Sequence, residues 1–170
     1  MDPRRIEFAN PDRFVAGASG EGRDRRYFVQ VREGDLLATV GISRGQLTML
    51  ALHLSSVLDE VSRLAAVDTA EADRTVDLGP LEVPLFAVFT ATGVQVGWDA
   101  VAGTIRVTLT DSDVEPPYTL DVFASPKLAR RFGARATRVV RDVAACPLCA
   151  QPIAPEGHVC PRLDGYRAVR

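Results

Sequence analysis

The segment 43–66, SRGQLTMLALHLSSVLDEVSRLAA, has little freedom in what it can become. Leu47, Leu50, Leu54, Val57, Leu58, Val61 and Leu64 recur at three- and four-residue steps, which places them on one face of an α-helix. Ser43 precedes Gln46 by three residues, the S-x-x-Q spacing of a capping box, in which the serine hydroxyl satisfies an exposed amide. A helix over residues 44–66 follows, and so long an apolar stripe needs a surface to pack against. The rest of the chain can supply one. Of its 170 residues 46% are hydrophobic and 25% charged, the composition of a folded globular body large enough for one core and a short appendage.

The flanking segments read as strands. RRYFVQV (25–31) and LLATVGI (36–42) are rich in β-branched and aromatic residues, and the polar REGD between them, with Gly34, suits a hairpin. Further strands are expected at 85–92, 93–98, 104–110 and 118–124, the last after the Pro116-Pro117 break. Ser125 followed by Pro126 opens a second helix, because proline at the first helical position lacks only an amide that would be unbonded anyway. Leu128, Phe132, Arg135 or Ala136, and Val139 give it a thinner apolar stripe with arginines opposite, and it ends near Asp142. The acidic segment 67–80 and the glycine-rich GASGEG (17–22) read as loop and flexible turn. Strand, strand and serine-capped helix thus occur twice, at 25–66 and 104–142. The fold class expected is α+β: an antiparallel or mixed sheet with two helices packed on one face, plus a C-terminal zinc-binding tail. The body takes residues 1–143 and the tail 144–170.

The tail holds all three cysteines and one of only two histidines. Cys146 and Cys149 form C-x-x-C, and His158 and Cys160 are two apart, so each pair can aim at one ion. The intervening AQPIAPEG contains two prolines and a glycine, permitting a compact return. Three thiolates and an imidazole complete a tetrahedral shell with no open position, the pattern of a structural rather than catalytic zinc site. Rival uses are a C-x-x-C redox pair, which belongs on a strand-to-helix turn, and burial of the cysteines in a small core. Both leave His158 and Cys160 without a common purpose.

The formal charge of -2 is uneven: residues 127–170 carry nine basic against three acidic residues, leaving the remainder acidic. Such a basic quarter fits a polyanion or a protein partner, but a tail docked on its own acidic body, or a solvated helix face, is the commoner explanation. Arg131, Arg135, Arg162, Tyr166 and Arg167 are the candidate binding residues. Nucleic acid is not favoured, since the basic residues lack helix-turn-helix spacing and interleaved stacking aromatics. His53 reads as a surface or satisfied core histidine and Trp98 as core filling. Asp59 and Glu60, with Asp111 and Asp113, read as exposed acidic positions rather than acid-base pairs. No phosphate-binding glycine loop, G-x-S-x-G or H-E-x-x-H is present. Neither a signal-like start nor an apolar run of membrane-spanning length occurs, so a cytoplasmic location is expected, with no membrane partner.

The tail CPLC, then GHVCPR, then GY, together with NPDRFVAGASG and GISRGQ, resembles an uncharacterised family found in actinobacteria, a domain of unknown function. The likeness extends over essentially the whole chain. It implies that Cys146, Cys149, His158 and Cys160 belong together, with Arg162, Gly165 and Tyr166 beside them, and it implies no established activity. It also implies a genomic setting beside histidine-phosphatase-like and lipid-kinase-like proteins, a hint of phosphate-related biology. Ala150 departs from the glycine usual there, which affects local turn geometry only. Two functions follow: a non-enzymatic zinc-containing adaptor, or a small enzyme acting on a phosphorylated or nucleotide-like substrate. The enzyme requires Arg130, Arg135 or Arg162 to converge on a perturbed carboxylate in a concave pocket.

Overall fold

The computed structural model describes residues 4–65 and 75–141. In chain order these form β1 (Arg5–Phe8), β2 (Arg13–Ser19), a 3-10 turn, β3 (Arg26–Glu33), β4 (Leu36–Ile42), α1 (Arg44–Ala65), β5 (Gly93–Asp99), β6 (Thr104–Asp111), β7 (Tyr118–Ala124) and α2 (Pro126–Arg141). The fold is α+β, and its strands form two sheets. One is the antiparallel meander β2-β3-β4; the other is mixed, in the order β1-β7-β6-β5, with β1 parallel to β7.

Both helices begin as their capping residues dictate. The Ser43 hydroxyl accepts from the Gln46 amide at 3.1 Å while the Gln46 side chain accepts from the Ser43 amide at 3.0 Å, a reciprocal box. At α2 the Ser125 hydroxyl accepts from the Leu128 amide at 3.3 Å, with Pro126 at the first helical position. Leu47, Leu50, Leu54, Leu58 and Val61 are buried as their period requires, whereas Leu64 is exposed in the last turn.

The recurrence seen in the sequence extends further in three dimensions. Each half is a short leading segment, a three-stranded meander and a serine-capped helix: β1 through α1, then residues 88–91 through α2. The halves exchange parts. Leading strand β1 adds in parallel to β7 of the second half, and residues 88–91 add in parallel to β4 of the first, through Val88 N–H to Thr39 O at 2.8 Å and Gly41 N–H to Phe89 O at 2.9 Å. Among the strands, α1 packs most extensively on β5, and α2 on β2. Every half is therefore covered by the other's helix and extended by the other's leading strand. Phe8 and Phe89 sit buried at corresponding places in the two leading segments.

The core lies between the inner sheet faces and the helix pair. Phe14, Val29, Val31 and Val40 from one sheet meet Phe8, Ile105, Val107, Leu120 and Val122 from the other, with Leu50, Leu54 and Phe132 from the helices. Phe14 and Phe132 stack at 4.0 Å between ring centroids, fixing α2 on β2. Trp98 packs partly buried against this cluster, in keeping with a core role.

Of the expected loop 67–80, residues 67–74 lie outside the described residues; 75–80 and 85–92 differ from a plain loop and a strand. Residues 77–91 form a strap across the outer face of β2-β3-β4. The buried Gln30 binds it as a paired strand would: its side-chain oxygen accepts from Glu82 N–H at 2.8 Å and its amide nitrogen donates to Glu82 O and Thr39 Oγ1, each at 3.0 Å. Within 85–92 only Thr90 forms a strand-like bridge, to Gly41. Glycine 17, expected in a flexible turn, lies inside β2 beneath this strap. A Cβ there would stand 2.6 Å from the Leu81 side chain, so close passage of the strap requires glycine.

Candidate functional site

Helix α2 carries Lys127, Arg130, Arg131, Arg135, Arg138 and Arg141 and no acidic side chain, and it packs along α1. The two helices run antiparallel, with Arg44 at the start of α1 donating to Val140 O near the end of α2 at 3.1 Å, and Arg130 bonded to Asp59 at 2.7 Å toward the other end. Arg25 reaches the neighbouring Val139 O at 3.4 Å. Both contacts place cations where the C-terminal carbonyls of α2 concentrate partial negative charge.

Where the helices cross, small residues leave a seam between them. A hollow of about 710 Å³ lined by Arg44, Gly45, Thr48, Met49, Leu52 and Val140 lies toward the start of α1. It joins, through Ala51, Thr137 and Arg141, a second hollow of about 340 Å³ that reaches Ser55, Leu58, Arg130 and Arg138. The first end is apolar and the second basic. Met49 and Leu52 are 50% and 57% exposed at the apolar end, while Arg138 and Arg141 are exposed at the rim.

The arginines of α2 do not share one role. Arg135 faces inward with Ala136, where the helical period left a choice between the two. Its Nε donates to Ala16 O of the edge strand β2 at 2.5 Å, and its Nη1 to the backbone and carboxylate of Asp77 on the strap. Asp77 in turn accepts from Arg13 Nε at 2.6 Å, and Arg13 also pairs with Glu82 at 3.4 Å. The hydrogen bond from Arg13 holds the Asp77 carboxyl below the usual carboxylate range, against partial desolvation, and raises the Arg13 guanidinium. Burial pulls Arg135 below the ordinary arginine value, and the nearby Asp77 charge opposes that shift. This cluster ties strap, edge strand and helix together. Arg13, Asp77 and Glu82 escaped notice because their partners are some sixty residues away along the chain and the segment around Asp77 carries no periodic signal.

Arg131 is half-buried, and Arg130 is paired with Asp59 away from the Arg135 cluster. Of the arginines expected to meet a perturbed carboxylate, Arg135 meets Asp77, Arg130 pairs with Asp59 instead, and Arg162 lies outside the described residues. His53 lies exposed on α1. A further charged group sits on the outer face of the mixed sheet, where the fully buried Asp121 takes Arg106 at 2.9 Å and Arg5 at 3.0 Å and accepts from Thr108 Oγ1 at 2.6 Å. Cations there are matched by acids, since Glu7 neighbours Asp121 in register.

Cys146, Cys149, His158, Cys160, Arg162, Tyr166 and Arg167 lie outside the described residues. Their donor set, three thiols and one imidazole, suits a closed zinc shell. Among the described residues there is no group of three or more histidine, cysteine or carboxylate side chains able to hold a metal, and no helix long and apolar enough to cross a membrane.

The chain matches the family described as Protein of unknown function (DUF3090) over residues 6–160. It belongs to this family. The DUF3090 match runs from β1 through Cys160, so it takes in both exchanged halves and all four cysteine and histidine residues of the tail grouping. No curated protein and no solved structure matches the chain.

Proposed function

We propose that this DUF3090 member is a non-enzymatic, zinc-containing adaptor. The observation that carries the proposal is the grouping of every cysteine in the chain with His158 inside fifteen positions, in C-x-x-C and H-x-C pairs. A segment of that size buries too little apolar surface to fold alone, and a bound metal supplies the missing free energy. Cys146, Cys149, His158 and Cys160 would hold the ion. A reducing cytoplasm keeps the thiols available for it, and thiolate-rich donors with a closed shell favour zinc. The likeness of the tail to the pattern of the actinobacterial family supports treating these four residues as a unit.

The interaction residues are Arg162, Tyr166 and Arg167 of the tail, together with Arg138 and Arg141, which are exposed on α2. Arg131 contributes from the same helix, which Arg135 anchors to β2. The partner is a protein or a polyanion, bound through guanidinium groups suited to carboxylate or phosphate. Elemental analysis of the purified chain tests the reading. About one zinc per chain, lost in both Cys146→Ser and His158→Ala, is the result expected; a chain with no metal in any sample refutes it.

A further inference from the structure

The outer face of β2-β3-β4 carries a groove shaped for an extended peptide, and the chain's own residues 77–82 lie in it. The groove addresses the backbone of this segment more than its side chains. Arg135 donates to Asp77 O, Arg13 donates to Gly79 O at 3.2 Å and to Pro80 O at 2.9 Å, and Gln30 accepts from Glu82 N–H while donating to Glu82 O. A carboxamide that answers both the N–H and the C=O of one residue imitates a neighbouring strand and reads no sequence. Side chains enter at three places. Asp77 meets Arg13 and Arg135, Glu82 meets Arg13 and Arg32, and Leu81 lies over Gly17, where any Cβ would collide with it.

The fold itself does not call for this occupant. In the other half Thr108 and Asp121 pair across β6 and β7 as Gln30 and Thr39 pair across β3 and β4, each pair on its sheet's outer face. There Asp121 is closed over by Arg5 and Arg106, side chains of the sheet itself, and among the described residues no strap bonds to them. One meander thus closes with its own side chains, whereas the other keeps a pair, Gln30 and Thr39, that answers a peptide backbone.

We propose that this groove is a binding site for an extended acidic segment of a partner protein, and that residues 77–82 hold it shut in the isolated chain. The segment it takes carries an acid four residues before a leucine and a second acid directly after it, the pattern of Asp77, Leu81 and Glu82. Three guanidiniums, from Arg13, Arg32 and Arg135, face that pattern, so an acidic segment is attracted and a basic one repelled. The strap keeps its place by attachment, since a short tether gives an effective concentration on the order of millimolar, and a partner fastened elsewhere on the body gains the same advantage. The site goes beyond the zinc reading and does not depend on it, because its residues belong to the first sheet, α2 and the strap.

A labelled peptide of residues 76–83, titrated into full-length chains, tests the proposal. Asp77→Asn with Leu81→Ser loosens the strap and leaves the groove intact, so this double variant should bind the peptide saturably and about tenfold or more tightly than the wild type does. A peptide carrying the same two changes should bind neither protein. The peptide should also raise the Tm of the double variant, and fail to do so once Gly17→Ala is added and its Cβ fills the place of the leucine. Absence of saturable binding, equal binding of the altered peptide, or equal affinity of wild type and double variant overturns the proposal. If the double variant does not fold, hydrogen exchange on the wild type decides: Glu82 N–H should open about tenfold or more readily than the core amides of β3, and should lose further protection when peptide is added. A Glu82 amide that opens only with the core, or ignores the peptide, refutes it. Wild-type dimers that exchange straps would assign the groove to a second copy and overturn it as well. Loss of zinc in Cys146→Ser with peptide binding unchanged would leave this site standing, so the two readings fail separately.

Discussion

Arg135 offers the sharpest test of how this fold is held. Replacing it with methionine keeps the length of the side chain but removes the donors to Ala16 O and to Asp77. Its side chain is only 8% exposed, so solvent screening does not dilute these bonds. Hydrogen bonds from a charged donor contribute ~1.5–3 kcal/mol each, so the two lost bonds remove about 3–6 kcal/mol. The ion pair with the Asp77 carboxylate adds little to this, because that carboxylate is 39% exposed and retains Arg13. Against the loss stands the desolvation cost of a buried guanidinium, which methionine does not incur and which returns several kcal/mol. A net destabilisation of about 2–3 kcal/mol remains, or about 5–10 °C in Tm for a chain of this size. Thermal and urea unfolding should show it, with the slope on denaturant unchanged. Arg138→Met, on the exposed face of the same helix, should stay within about 0.5 kcal/mol of wild type. If Arg135→Met shifts Tm by less than about 2 °C, or no more than Arg138→Met does, the structural role given to Arg135 is wrong.

Other consequences are equally direct. Gly17→Ala should destabilise by about 1–3 kcal/mol by driving a Cβ into Leu81, and Leu81→Ala in the same chain should relieve much of that cost; strictly additive losses would contradict the close passage of the strap. Ser43→Ala should cost about 1 kcal/mol and loosen the first turn of α1 in hydrogen exchange, a change absent if the reciprocal cap were idle. Because the Asp77 carboxyl is depressed in the folded chain, its contribution is fully present above the ordinary carboxylate value of about 4 and fades as pH falls through the lower folded value. The stability gap between wild type and Asp77→Asn should therefore be widest near neutrality and close in acid; a gap independent of pH would refute the assignment.

Helices and meanders were legible because their signals are local. The Ser43–Gln46 box, the leucine period of α1 and the Ser125–Pro126 start each lie within one or two turns, and β4 and β7 fall where β-branched runs placed them. The edge strands β1 and β2 were missed, one short and charged, the other holding Gly17 within a glycine-rich stretch. The strap was missed for a different reason. Its geometry is set by Gln30 and by the Arg13–Asp77–Arg135 cluster, which join segments distant in the chain and leave no periodicity behind. Arg135 itself stands one residue before the buried Ala136, so the helical period alone could not say which of the two faced inward. The four tail residues lie outside the described residues, and their grouping as a donor set rests on residue type and spacing alone.

The exchange of leading strands and helices between the two halves makes this chain, in effect, a dimer whose subunits are spliced end to end. Cut the chain after residue 65 and neither piece keeps its own lid: one lacks α2 over β2, the other α1 over β5. Each would expose an apolar sheet face, so the pieces should be insoluble or molten apart and should reassemble when mixed, with a midpoint that moves with concentration. The single chain abolishes that dependence. Splicing turns a bimolecular encounter into an intramolecular closure, and the association entropy that two free halves would forfeit is already spent when the chain is made.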